Sequence, residues 1–496
     1  MEQPMRWREL IRALETQESG GAGDPEIADV CYDSRRAARG ALFVAIPGVK
    51  AHGDTFIADA VTRGASAVVS EHAQPGCAVP WARVRDPRSA LGLLGRTLWA
   101  DGFEPRMMVG VTGTNGKTTT AMLLHALTVQ RFGARAAWLF GTVTYEFDGK
   151  TWDASRTTPE SVDIFRMVGQ AAARPSSIVM EVSSHSLELQ RVAGLFYDVG
   201  VFTNLTQDHL DFHPTMEAYY AAKRRLFREH LNAGGCAVVN VDDPWGRRLA
   251  GELPGVRVLT YGKAQDASVR MSAWTCSWDG VRLALAGAGG TWEIGSRLTG
   301  PFNLYNVTSF CAAAYALGFG PAQMQDALDA VRTVPGRLER VPIDAPFTAV
   351  VDYAHTPDAL EKVLAAAREL TTGRLITVFG CGGDRDRTKR PLMAAAVAKG
   401  CDEAVVTSDN PRSEQPQAII DEILAGMPSG FKHAVDVDRS EAIARALRGA
   451  RENDCVVVAG KGHETYQEVN GVKHPFDDRE KVKELWTAIA KERAHG

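Results

Sequence analysis

Met107–Gln130 reads MMVGVTGTNGKTTTAMLLHALTVQ. Met107–Thr112 is an apolar run of strand length, and an amphipathic helix pattern follows, closing near Gly133. Between them stand Gly113, Thr114, Asn115, Gly116, Lys117, Thr118 and Thr119. Strand, glycine-rich turn and helix in that order make a phosphate cradle. Backbone N–H groups wrap the anion and the helix N-terminus adds its dipole. In this arrangement Lys117 reaches the terminal phosphates and Thr118 offers a hydroxyl to Mg²⁺. The strict motif wants a glycine at the position Val111 occupies, so this is a variant loop. The fold implied is α/β, with a mostly parallel sheet around the loop.

At 496 residues the chain is long enough for about three domains. It is 45% hydrophobic and 23% charged, an ordinary globular composition. A net charge of −4 gives no reason to expect nucleic acid or an anionic membrane as partner. The eight cysteines are scattered without a CxxC pair, which predicts buried free thiols in a reducing cytosol. No apolar run reaches membrane-spanning length and Met1–Leu10 lacks a signal-peptide core, so a cytoplasmic protein is expected.

Residues 1–103 read as a small α/β unit with strands at 41–46 and 67–70, and with Ser34 in an Asp-Ser-Arg loop. Asp101–Pro105 reads as a linker. Residues 104–334 hold the phosphate loop. There the strand 177–182 ends at Glu181, an acid placed where nucleotide-using enzymes hold Mg²⁺. A further strand at 199–204 leads into Gln207–His213, whose His-Asp-His spacing suggests metal ligands. A zinc hydrolase would fit that spacing, yet no HExxH is present. One imidazole beside Mg²⁺ is the more economical reading. Tyr219–Phe227, YYAAKRRLF, is a helix that composition alone makes a surface helix with a basic face. Asn303 and Asn306 open another helix and read as plain caps or as contacts.

Residues 335–496 form a third, Rossmann-like α/β unit. Three strands, at 374–379, 403–407 and 455–459, each run into a polar loop. Ligands bind beyond the carboxyl ends of such strands. The first loop continues to Arg385 rather than to a third glycine, so a dinucleotide fingerprint is absent. Arg385 and Arg412 suit carboxylates through their bidentate fork. Asp409 and Glu464 suit an ammonium. Together these side chains describe a receptor for an amino acid.

GTNGKTT, MEVSSH, TNLTQDHLDFH, YYAAKRRLF, PGRLERV, VDYAHTPDAL, GCGGDRD, SDNPR and GKGHE, in this order and over essentially the whole chain, resemble the Mur ligases of peptidoglycan synthesis. The resemblance implies ATP-dependent amide formation, with meso-2,6-diaminopimelate added to UDP-N-acetylmuramoyl-L-alanyl-D-glutamate through an acyl phosphate. It implies an N-terminal domain that holds UDP, with Ser34 among its contacts, and a muramoyl-dipeptide gripped by Thr157, Thr158, Ser183 and Arg191. Relatives often carry Gln where this chain has Leu189, with Gln190 adjacent. The resemblance also implies a carbamate on Lys223, a metal shell of Thr118, Glu181 and His209, and nucleotide contacts from Asn303, Asn306, Arg337 and His355. Diaminopimelate falls to Arg385, Asp409, Asn410, Pro411, Arg412, Gly460 and Glu464. Mg²⁺, ATP and a monomer are expected. The alternatives are the L-lysine-adding ligase of the same family, a folylpolyglutamate synthetase-like ligase, and a non-catalytic nucleotide-binding module. Arg412 argues against lysine, which lacks the carboxylate it would pair. SDNPR and GKGHE argue against the second alternative, and intact Glu181, His209 and Lys223 against the third.

Overall fold

The computed structural model describes residues 4–48, 51–287 and 290–495. The chain packs as two compact units. One holds the residues up to Met271 together with Ala286, Gly287 and Thr308–Ala327. The other holds Ser272–Leu285, Gly290–Val307 and the residues from Leu328 onward.

The first unit carries two main sheets, besides the two-stranded pairing of Met5–Arg6 with Glu26–Ile27. The smaller has the strand order Thr16–Gly20, Trp81–Val84, Ala67–Ser70, Ala41–Val44, Asp29–Cys31, parallel except for its first pair. Helix Pro87–Trp99 follows, capped by Asp86, whose carboxylate accepts from the Arg88 and Ser89 N–H groups. Its apolar face joins one continuous core with helix Ser161–Gln170. Gly92 permits the close approach, because a Cβ there would strike the Ala193 carbonyl and the Ser161 hydroxyl. Asp101–Pro105 is not a free linker: Phe103 is buried in this core.

The larger sheet begins Lys150–Asp153, Thr144–Phe147, Ala137–Phe140, Ser177–Glu181, Met107–Thr112, Tyr197–Phe202, Leu231–Asn240, Arg257–Gly262 and continues with Val269–Ser277, Gly280–Gly287 and Gly290–Ser296. From Ala137–Phe140 to Arg257–Gly262 the strands are parallel. They are almost wholly apolar, as a sheet covered on both faces requires. Glu181 pairs in register with Val111, and Phe202 with Thr112. Three carboxyl ends therefore finish side by side, and their loops share one edge.

In the second unit the sheet order is Glu339–Arg340, Thr348–Asp352, Cys455–Ala459, Leu375–Phe379, Glu403–Val406, His433–Val435. Only the first pair is antiparallel. Two separate cores form on its faces: Pro357–Leu370, Lys389–Gly400 and Pro416–Leu424 cover one, Arg439–Gly449 and Asp478–His495 the other. The α/β class read from the sequence holds. Among the described residues no helix is long and apolar enough to cross a membrane. All eight cysteines are free, with Cys77 and Cys276 half-buried and the others buried.

Candidate active site

The phosphate loop leaves strand Met107–Thr112 at Gly113 and enters helix Lys117–Phe132 at Gly116. Gly116 caps the helix with φ of 86°, a conformation costly for any residue with a Cβ. Gly113 has no room for a Cβ either, because the Thr203 hydroxyl lies against it. The loop is braced by the residues that follow strand Tyr197–Phe202. Asn204 accepts from the Thr114 N–H at 2.8 Å through its carbonyl, and from the Asn115 N–H at 3.0 Å through its side chain. The Thr203 hydroxyl donates to the Asn115 carbonyl at 2.6 Å. The sequence signal for Thr203 and Asn204 is their place at a strand's end in TNLTQ, which no residue-type pattern marks as a site.

Lys117 folds back over its own loop, donating to the Gly113 and Thr114 carbonyls at 2.9 Å each. Thr118 and Thr119 are buried in the first helical turn. Lys223 reaches the same loop from helix Met216–Glu229 and donates to the Gly113 carbonyl at 2.8 Å. Its side chain is fully buried, with Nζ 4.6 Å from the centre of the Tyr219 ring. The surface helix that composition suggested is thus corrected. Tyr219, Tyr220, Lys223, Leu226 and Phe227 form its buried face, while Arg224 and Arg225 stand toward solvent in ion pairs with Glu252 and Glu229. Burial first, and the charge of Lys117 second, push the Lys223 amine well below the ordinary lysine range.

Glu181 is buried at its strand end. Its carboxylate accepts from the Thr142 N–H at 2.7 Å and from the Thr142 hydroxyl at 3.0 Å. The Thr142 and Thr157 hydroxyls lie 3.1 Å apart, within hydrogen-bond distance. Thr158 donates to the Glu181 carbonyl at 2.9 Å and accepts from the Ser183 N–H at 3.1 Å. Ser183 caps helix Ser184–Glu188. Thr157, Thr158 and Ser183 therefore share one hydrogen-bonded cluster with Glu181. Thr142 was missed in the sequence because it is a lone threonine without a motif.

Arg191 pairs with the buried Glu160 at 3.2 Å. Desolvation raises the Glu160 carboxyl against the pull of Arg191 and Arg88. Gln190, beside Leu189, takes a left-handed φ of 52° in the turn leading to Arg191. His209 joins a ring cluster, 4.8 Å from His185, which in turn stacks on Phe212 at 4.1 Å. Partial desolvation, then the charges of Lys117 and Lys223, hold the His209 imidazole down against Asp208. Burial beside His209 and His213 takes His185 to about 4. Ser34 opens a short 3-10 turn capped by Asp33 and hydrogen-bonds Asp59.

In the second unit the polar loops converge at the carboxyl ends of Leu375–Phe379, Glu403–Val406 and Cys455–Ala459. The Asn410 amide donates to Glu464 at 2.7 Å, and the buried Lys461 donates to Asn410 Oδ1 at 3.1 Å. Asp409 Oδ2 is buried without a hydrogen-bond partner and lies hard against Gly460. Pro411 is buried between Asn410 and Arg412. Arg412 has a left-handed φ of 52° and donates to the Gly383 carbonyl at 2.7 Å. Arg385 is exposed, and its Cγ and the Arg412 guanidinium both flank Gly382. Beneath them Arg439, fully buried, forks onto Asp478 at 2.8 and 2.7 Å and donates to the Ser408 and Ala459 carbonyls. Neither Lys461 nor Arg439 was foreseen.

The four expected nucleotide contacts outside the phosphate loop belong to this second unit. Asn303 and Asn306 are not caps. They lie inside helix Phe302–Ala316, buried, with Asn303 donating to the Thr299 carbonyl at 2.6 Å and Asn306 to Asn303 at 2.8 Å. His355 and His463 flank the Tyr353 ring at 4.6 and 4.9 Å, and Arg337 lies over it at 5.7 Å.

Residues 26–97, 111–315 and 336–462 match the families described as Mur ligase family, catalytic domain, Mur ligase middle domain, and Mur ligase, glutamate ligase domain. The UDP-N-acetylmuramoyl-L-alanyl-D-glutamate–2,6-diaminopimelate ligase of Geobacter metallireducens is 45% identical, covering 96% of this chain and 98% of its own length. A solved structure of a ligase with the same name aligns with a TM-score of 0.71 at 34% identity, over 98% of this chain and 99% of the other. The folylpolyglutamate synthase of Mycobacterium tuberculosis complexed with ADP aligns at 0.61 and 20% identity, over 76% of this chain and 92% of its own, a likeness of fold alone.

Proposed function

This chain belongs to the Mur ligase family, and on that premise we propose that the site around Gly113 activates a carboxylate with ATP for attack by an amino acid. The activity is ATP-dependent joining of 2,6-diaminopimelate to UDP-N-acetylmuramoyl-L-alanyl-D-glutamate, a step of peptidoglycan precursor synthesis. The observation that carries the chemistry is the meeting of Lys117 and Lys223 on the Gly113 carbonyl, on the sheet edge where Glu181 also ends.

Residues 1–103 would hold the UDP end of the substrate through Ser34. Residues 104–334 would hold ATP and the dipeptide, with Thr157, Thr158, Ser183 and Arg191 on the dipeptide. Residues 335–496 would hold the incoming amino acid. Thr118, Glu181 and His209 would hold Mg²⁺. The threonine hydroxyl and the buried carboxylate are hard oxygen donors that suit this ion, and when bound it neutralises phosphate charge.

The terminal D-Glu carboxylate attacks the γ-phosphate of ATP, ADP leaves, and an acyl phosphate forms. Gly113–Thr119 cradle the phosphates, with Lys117 turning from its loop carbonyls to the transferring group. Asn303, Asn306, Arg337 and His355 are the proposed nucleotide contacts of the second unit. The diaminopimelate amine then attacks the acyl carbon, and the tetrahedral intermediate collapses to amide and phosphate. Asp409 Oδ2 and Glu464 supply anionic partners for the substrate's ammonium, with Asn410, Pro411 and Gly460 shaping the loop. Arg385 and Arg412 receive its carboxylates. The protein's share is positioning and charge neutralisation.

A neutral Lys223 amine adds CO₂ and loses a proton, giving a carbamate whose negative charge balances the cations around it. Lysine addition is the second reading within the family. Incubation with ATP, the UDP-linked dipeptide and a panel of amino acids, read by product mass, separates the two. Exclusive lysine product would replace the present assignment.

A further inference from the structure

Among the described residues, His52, Asp54 and His72 form a group of potential metal ligands, their donor atoms all within 4.8 Å of one another. They lie in the N-terminal part of the first unit, in sequence positions apart from every residue assigned above. His52 and Asp54 stand at the start of the 3-10 turn Gly53–Phe56, and His72 lies just past strand Ala67–Ser70. We propose that these three side chains bind one divalent transition-metal ion of the zinc class.

The hydrogen bonds around them fix how each would present itself. His52 Nδ1 accepts from the Asp54 N–H at 3.3 Å, so it carries a lone pair rather than a proton. That nitrogen lies 3.4 Å from Asp54 Oδ2, and on binding an ion it would exchange its long hydrogen bond from the Asp54 N–H for the bond to the metal. His52 Nε2 therefore carries the proton, and it faces Glu71 Oε2 at 3.3 Å. An imidazole that presents one nitrogen inward and donates the other to a carboxylate is the usual state of a metal-bound histidine. Asp54 is oriented in the same way. Ser70 donates to its Oδ1 at 2.6 Å, leaving Oδ2 to face both rings.

His72 Nδ1 lies 2.6 Å from that Oδ2 and closes the triangle. To bind the ion, the neutral ring shifts its Nδ1 proton through solvent to the exposed Nε2 and exchanges this hydrogen bond for a bond to the metal. Asp54 and Glu71 bring two negative charges, and their ion pairs among the described residues are with these histidines alone. Two imidazoles and one carboxylate, with water completing a tetrahedron, suit Zn²⁺ or Co²⁺. Mg²⁺ prefers a shell of oxygens. An ion here would tie the turn Gly53–Phe56 to the end of strand Ala67–Ser70. That turn leads into helix Ile57–Thr62, whose Asp59 hydrogen-bonds Ser34.

The test is titration of the chelator-treated full chain with Co²⁺, followed by ligand-field absorption and calorimetry, with thermal unfolding measured in parallel with Zn²⁺. Wild type is expected to show a saturable imidazole-bound cobalt signal and a raised unfolding midpoint. His52→Ala and His72→Gln should each weaken that binding by about tenfold or more. His72 is exposed, and the glutamine keeps a donor toward Asp54, so this variant retains the fold. Retention of the signal by His209→Asn, together with its loss in the two N-terminal variants, supports this site. Unchanged cobalt affinity in either N-terminal variant, or no saturable signal in the wild type, overturns the proposal.

Discussion

Lys117 and Lys223 donate to the same oxygen, the Gly113 carbonyl, at 2.9 and 2.8 Å. Two ammonium groups so close, one of them fully buried, are unfavourable unless one gives up its proton. Lys223 is that one, because burial adds to the repulsion. The sign follows from linkage. Between the lowered native pKa and the ordinary lysine value the unfolded chain binds the extra proton, so this group makes stability rise with pH across that window. A neutral amine is also what CO₂ requires. Lys223→Ala should be nearly inactive, with activity partly restored by short carboxylic acids. A high-resolution map showing an unmodified amine in a fully active enzyme would falsify the carbamate.

In this reading Lys117 turns to the phosphate. Lys117→Ala should leave the circular dichroism spectrum unchanged and slow ATP turnover by about two orders of magnitude, the usual loss for one transition-state charge contact. Turnover near the wild-type rate would remove the phosphate-loop assignment.

Thr142 gives the Glu181 carboxylate two hydrogen bonds, one from the backbone and one from the hydroxyl. Thr142→Val keeps the shape and the backbone donor but removes the hydroxyl. The carboxylate then loses a partner in a buried place, at a cost of about 1–3 kcal/mol. The Mg²⁺ concentration needed for half-maximal rate should rise, while the Michaelis constant for diaminopimelate stays unchanged. A shift in the second constant alone would place Thr142 outside the metal shell.

What the sequence made legible were the places where local chemistry dictates geometry. Gly113 and Gly116 announce a turn that only glycine tolerates, and apolar runs ending in Glu181, Gly380, Ser408 and Gly460 announce strand ends. Burial was less legible. Lys223 sits between Ala222 and the solvent-facing Arg224 and Arg225, so its neighbours mask the face it turns inward. Asn303 and Asn306 resembled caps because the preceding Gly300-Pro301 marks a helix start, yet the helix begins one residue earlier, at Phe302. The Arg439–Asp478 pair joins residues 39 apart with no motif around either. Such long-range pairs emerge only when helices are set against a sheet.

His463 offers a stability test in the second unit. Burial first, then the charge of Arg337, takes its imidazole to about 4. Between that value and the ordinary 6.5 the unfolded chain holds the proton and the native one does not, so stability falls as pH drops through this window and levels off below it. His463→Gln should flatten the decline in denaturation midpoint between pH 6.5 and about 4. An equally steep decline in the variant would assign the effect to other groups.

On the proposed assignment Arg412 carries the choice of amino acid. It is held in place by its backbone as well as by its side chain: its N–H donates to the Glu468 carbonyl at 3.0 Å, its carbonyl accepts from Asn470 at 2.7 Å, and its guanidinium reaches Gly383 at 2.7 Å. The loop is thus built before substrate arrives, and part of the guanidinium's hydrogen-bonding capacity remains for a carboxylate. Losing one member of a buried charge pair costs about 2–5 kcal/mol, roughly 30- to several-thousand-fold. Arg412→Ala should therefore raise the Michaelis constant for diaminopimelate steeply and leave that for ATP almost unchanged. Lysine lacks the distal carboxylate, so it should be a poor substrate of the wild type and suffer much less from the substitution. Arg412→Lys separates loop support from recognition: it can still reach the Gly383 carbonyl but cannot grip a carboxylate with two parallel hydrogen bonds. Recovery of full diaminopimelate affinity in Arg412→Lys would mean that the residue only braces the loop. Equal use of lysine and diaminopimelate by the wild type would deny it the role of selector.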